Sequence, residues 1–208
     1  MPTIITLALL LALVAPAEAA KKPEPALPKI EKTGINEFDG VFMDARAIHD
    51  DLDAQEADLK RAREAVATAL GVAIDAPLAT ALQDFAKKAP GALKLAMDGA
   101  SPKIVAAEGA PENVQKAGAA LQDLVTVAQR SVSRCAELVP QVQELATKTA
   151  GFPAQLPTVV KDPAAVMKAT GPVTNNVKAV KATPDRVTKV STAAKSIVDD
   201  VRAGLAGV

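Results

Sequence analysis

The sequence predicts an all-α fold: an elongated antiparallel bundle of three long helices with shorter helical pieces, placed after a signal peptide and a Pro-rich tether. Two observations carry that expectation. Counting every seventh residue from Val114 gives Val114, Leu121, Ala128, Cys135 and Val142, with Ala117, Leu124, Ser131, Leu138 and Leu145 on the interleaved row. Apart from Ser131 both rows are apolar. A 3-4 alternation kept up this long is a seam that a helix buries against other helices, whereas a strand would alternate with period two. The second observation is composition, 49% hydrophobic but only 2% aromatic, with no Trp and no Tyr. The core must then be made of Ala, Val and Leu, side chains that let helices approach closely. A fully buried Val or Leu contributes roughly 1.5–3 kcal/mol and Ala much less, so stability has to come from many small contacts.

In chain order, residues 1–20 are expected to form a signal peptide. Ile4 to Val14 is an unbroken run of apolar residues and Thr, followed by Ala15-Pro16-Ala17-Glu18-Ala19-Ala20, which holds the small-x-small pattern of a cleavage site. The run is shorter than the roughly 20 residues a bilayer span needs. Cleavage is expected near Ala19 or Ala20, giving a periplasmic or secreted protein with no transmembrane segment in the mature chain. No Lys or Arg precedes the apolar run, so either the Met1 amino group serves or the true start lies upstream. No Cys stands at the cleavage point to carry a lipid anchor. Residues 21–33 read KKPEPALPKIEKT; the prolines and charges leave no face to pack, and a disordered, extended tether follows. Residues 34–208 are expected to form a single helical-bundle domain.

Within that domain the first helix spans about Ile35 to Val72, with Phe38, Ala45, Leu52, Leu59 and Val66 recurring every seven residues. Short helical pieces are expected next: one capped by Asp75 and running to Lys88, one over Ala92–Asp98, and one opened by Ser101-Pro102 and closed by Gly109. Pro111-Glu112 opens the helix that carries the seam. Pro140 falls inside it and predicts a bend near Ala136, because proline removes a donor and clashes one turn back. Beyond the breakers Gly151, Pro153 and Pro157, Asp162-Pro163 opens a short helix closing at Gly171-Pro172. The last helix starts near Pro172, with a second start signal at Thr183-Pro184-Asp185, and runs to about Leu205 on Val173, Val177, Val180, Val187, Ala194, Val198 and Val201. The stretches Ser101 to Pro111 and Asp162 to Pro172 share their punctuation, with too few identities to establish a duplication.

Charge is divided along the chain. Residues 34–75 hold ten Asp or Glu against four Lys or Arg, net −6; residues 151–208 hold eight Lys or Arg against four Asp, net +4. Opposite signs predict that the first and last helices lie side by side. The formal net charge of zero argues against a nucleic-acid partner.

Candidate chemistry is sparse. His49, the single histidine, shares a helix face with Asp53, Glu56 and Arg63. His49, Asp53 and Glu56 could supply nitrogen and oxygen ligands to a divalent metal, or an acid/base pair. With no second His and no HExxH or calcium-loop spacing, the favoured reading is a row of ion pairs beside the apolar stripe. No catalytic, cofactor-binding or metal residue is assigned. Cys135, the lone cysteine, sits in the seam as a small buried hydrophobe; the competing reading is an intermolecular disulfide. The function expected from these features is non-catalytic: an exported envelope scaffold or spacer that binds a protein partner or itself. The alternative is a carrier of a lipid or other apolar ligand, opening at its Pro and Gly hinges.

Overall fold

The computed structural model describes residues 28–98 and 101–206. The expected signal peptide, and residues 21–27 of the expected tether, lie outside the described residues. Among those described the chain is mostly helical, with little sheet: α1 (Asn36–Leu70), α2 (Leu78–Lys88), a hairpin of β1 (Leu93–Asp98) and β2 (Ser101–Ala106), α3 (Glu112–Thr149), α4 (Phe152–Val159) and α5 (Pro163–Leu205). No helix among them is long and apolar enough to cross a membrane.

α3 lies against both α1 and α5. Both of its heptad rows are buried, Leu121 and Leu124 completely and Leu138 and Leu145 nearly so. They meet Phe38, Phe42, Ala45, Leu52, Leu59 and Val66 of α1 and Val173, Val177, Val180, Val187, Ala194, Val198 and Val201 of α5 in one continuous core. Asp44 faces Lys148, Asp51 pairs with Arg134 and Asp58 lines the same groove as Val127, so α1 and α3 run in opposite senses. His49 meets Thr183 and Glu56 meets Arg186, so α1 and α5 run in the same sense.

Several elements differ from expectation. Residues 92–98 and 101–109 do not form helical pieces; Leu93–Asp98 and Ser101–Ala106 pair antiparallel, with Leu93 opposite Ala106 and Met97 opposite Pro102. Ser101-Pro102 does fit a helix start, but proline is equally at home in an edge strand, and both strands of a hairpin are edges. The overlooked signal is period two: Leu93 and Ile104 are buried, while Lys94, Lys103 and Val105 face out. The hairpin settles on α3 through Ile104, whose N–H donates to Gln122 Oε1 at 2.7 Å. Gly118 permits that approach, since a Cβ there would stand 3.1 Å from Leu93 Cδ2. The stretches with shared punctuation are therefore a strand in one case and a helix start in the other.

Gly171-Pro172 and Thr183-Pro184 do not divide the last helix, and α5 runs through both as 43 residues. A proline inside a helix costs about 3 kcal/mol. Burial of Val173, Val177, Val180 and Val187 on one face, at roughly 1.5–3 kcal/mol each, outweighs that cost. Asp162 opens the helix as expected, its Oδ1 accepting from the Ala164 N–H at 3.0 Å. α3 likewise continues past Pro140, with Val142 and Leu145 buried beyond it. α4 forms among breakers, where the local residues predict no helix. Its Phe152 stacks on Phe38, ring centroids 4.2 Å apart, and meets Phe42 edge-on at 5.4 Å. α2 begins at Leu78 behind Pro77, and no side chain caps it, Asp75 included.

Residues 28–33, expected to be tether, are instead tied to α5 as a strap. Ile30 is buried, the Glu31 N–H donates to Asn176 Oδ1 at 3.0 Å, and Asn176 Nδ2 donates to the Glu31 carbonyl at 2.6 Å. Asp39 fixes the other end by accepting from the Thr33 N–H, the Thr33 hydroxyl and the Gly34 N–H.

Candidate functional site

A polar cluster forms where α1, α5 and the strap meet. The apolar stripe of α1 places His49 at its edge, with Asp53 and Glu56 one and two turns on. α5 supplies Thr183, between Val180 and Val187 in its buried row, and Arg186 three residues later. His49 is buried, and its Nε2 lies 2.8 Å from Thr183 Oγ1. The Thr183 hydroxyl donates its one proton to the Ala179 carbonyl at 3.0 Å, so it accepts from His49. With the hydroxyl donating to Ala179, the neutral imidazole is the Nε2–H tautomer, with a lone pair on Nδ1. Burial pushes the His49 pKa below its ordinary value, and nearby Arg186 pushes it the same way, against the pull of Asp53 and Asp50.

Arg186 ties α5 to α1. It donates to Asp53 and, through Nη2 and Nε at 2.9 and 3.3 Å, to both carboxylate oxygens of Glu56. Its side chain is only 16% exposed, which distinguishes it from the surface ion pairs Arg46–Asp50, Arg61–Asp58 and Lys60–Glu64 along α1. Arg63, expected in the same row, points elsewhere: its Nε and Nη2 donate to the carbonyls of Ile74 and Ala76, both at 3.2 Å, and pin the loop after α1. The structure thus brings together His49, Asp53 and Glu56, adds Thr183 and Arg186, and leaves Arg63 out. The charge split along the chain points towards such a pair; Thr183 carries no signal of its own, because Thr183-Pro184 fits a helix start.

An open cavity of about 620 Å³ lies over this cluster, lined by residues 28–31 of the strap, Arg46, His49, Asp50 and Asp53 of α1, and Arg186 of α5. The carboxylates are engaged by arginines, and among the described residues no three His, Cys, Asp or Glu side chains come together to hold a metal ion. What the arrangement does chemically is hold one titratable, uncharged base between two helices. Cys135 is buried, with its Sγ donating to Gln55 Oε1 at 3.5 Å. Burial, and secondarily Asp51, raises its pKa, so the thiol stays protonated and weakly reactive.

No protein-family model matches the chain, and neither do curated proteins or solved structures yield a significant match.

Proposed function

We propose that this is a non-catalytic, exported envelope protein, cut near Ala19 or Ala20, whose residues 34–208 form one elongated antiparallel helical bundle. It acts as a scaffold or spacer and engages a protein partner or a second copy of itself. The observation that carries this reading is the uninterrupted aliphatic core shared by α1, α3 and α5, helices of 35, 38 and 43 residues. At about 1.5 Å per residue these are rods of roughly 50–65 Å, a shape that spans distance and presents long flanks. Polar groups inside it are consumed in holding the rods together: every described buried side-chain nitrogen or oxygen has a partner. The cavity over His49 is lined by charged side chains, which suits an apolar ligand poorly and ranks the lipid-carrier reading second.

Native mass spectrometry of the exported protein after gentle crosslinking tests the proposal in one spectrum. The expected species is a chain shortened by about 20 residues, bound to a protein partner or to a second copy. A chain retaining Met1 would remove the export part of the proposal. A stoichiometric lipid on an otherwise solitary chain would replace the scaffold with the carrier.

A further inference from the structure

We propose that His49 is a proton-operated latch: protonation of its open ring nitrogen loosens the strap of residues 28–33 from α5 and widens the cavity beneath it. The inference concerns a regulatory device and stands independently of the function proposed above.

The geometry begins with the imidazole. Nε2 is committed to Thr183, and Nδ1 has no hydrogen-bond partner among the described residues. Because no described side-chain nitrogen is both buried and without a partner, Nδ1 must open to solvent, and the space His49 lines is the cavity. A proton reaches the imidazole from the cavity that it lines. The groups facing it are Lys29 and Glu31 from the strap, Arg46, Asp50 and Asp53 from α1, and Arg186 from α5. Among the carboxylates, Asp50 is within ion-pair distance of Arg46, and Asp53 is held by Arg186.

Protonation changes two things at once. It creates a donor on Nδ1 that needs an acceptor, and it places a positive charge near Arg186, in a cavity that Lys29 and Arg46 also line. If Asp53 turns towards the imidazolium, Arg186 loses part of its hold on α1. If it does not, the new charge sits beside the Arg186 guanidinium, offset only in part by Asp53 and Asp50. Both responses strain the junction of α1, α5 and the strap. The strap gives first, because it is attached to α5 by the two hydrogen bonds between Glu31 and Asn176 and by the buried Ile30. Its other end stays fixed by Asp39 on Thr33 and Gly34, so it swings from that point.

The chain contains a single histidine, which makes the test direct. In the full chain, NMR follows the imidazole resonance and the exchange protection of the Glu31 amide from about pH 7.5 to about pH 5, above most of the carboxylate range. The expected result is a drop in Glu31 protection of about tenfold, after correction for intrinsic exchange, with the midpoint of the imidazole titration. The Leu124 amide in α3 should keep its protection. In His49→Gln, which retains a donor for Thr183 but cannot take the proton, Glu31 protection should not depend on pH. Constant Glu31 protection in the wild type, or the same pH-dependent loss in His49→Gln, would overturn the latch. Should that variant fail to fold, the wild type decides alone: midpoints of imidazole and Glu31 that differ would also overturn it.

Discussion

At the scale of single residues, burial and Arg186 together set the behaviour of His49. With its folded pKa depressed, His49 is neutral in the native state where the unfolded chain would already bind a proton, near the ordinary value of about 6.5. The unfolded state then carries more protons below that value. This contribution to stability is complete above about pH 6.5 and is lost as pH falls from there through the depressed folded pKa. Urea unfolding between about pH 7.5 and about pH 5 should show the wild type losing stability faster than His49→Gln. Arg186→Met should raise the His49 pKa, since Asp53 and Asp50 then favour the imidazolium against burial alone. An imidazole titration with an unmoved midpoint would show that burial alone sets the shift. Gly204 is decisive for a different reason: a Cβ there would lie 2.6 Å from Leu82 Cβ, where α2 packs on α5. Gly204→Ala should destabilise by about 1–3 kcal/mol through overpacking, measured as a lowered urea midpoint with unchanged slope.

At the scale of elements, the aromatic residues do more than their number suggests. Three of the four Phe gather at one place, and Phe152 is the contact that holds α4 to α1. Phe152→Ala should cost about 3–5 kcal/mol, the usual range for a buried phenylalanine; a loss below about 1 kcal/mol would mean the cluster collapses around the gap. The elements legible from the sequence are those with a long repeat. Positions 114–145 and 38–66 show up as seams because a seven-residue apolar spacing sustained over many turns puts its side chains on one side of a helix and of nothing else. The hairpin and α4 are not legible. β1 and β2 are six residues each, too short for period two to stand out against Ser101-Pro102 and Gly109, which also suit a helix. α4 carries two prolines in eight residues and exists because Phe152 and Leu156 are buried against the longer helices. Pro172 and Pro184 mislead in the same way, since a breaker reports a local cost and says nothing of the valines packed on either side.

At the scale of the whole molecule, the strap determines how much of the amino-terminal region belongs to the folded unit. Ile30 and the Glu31–Asn176 pair lie within a stretch whose composition suggests a free tether. Removal of residues 1–33 should therefore lower stability relative to removal of residues 1–27, by roughly the 1.5–3 kcal/mol of a buried aliphatic side chain plus about 1 kcal/mol for the hydrogen bonds. Equal urea midpoints for the two truncations would show that the strap adds nothing. The division of charge has a simple outcome at this scale: Arg186 links α5 to Asp53 and Glu56. Arg46, Lys60 and Arg61 pair with α1's own acids within one turn.

The sequence by itself determined that the chain is helical and which faces of α1, α3 and α5 are buried, because periodicity is a property of one element and is written along it. Only the tertiary structure decided that Leu93 to Ala106 is a hairpin, that α5 survives its prolines, and that residues 28–33 are held. The same is true of the meeting of His49 with Thr183 and Arg186. Each of those outcomes depends on a contact between residues far apart in the chain, whose energy overrides what the local residues prefer.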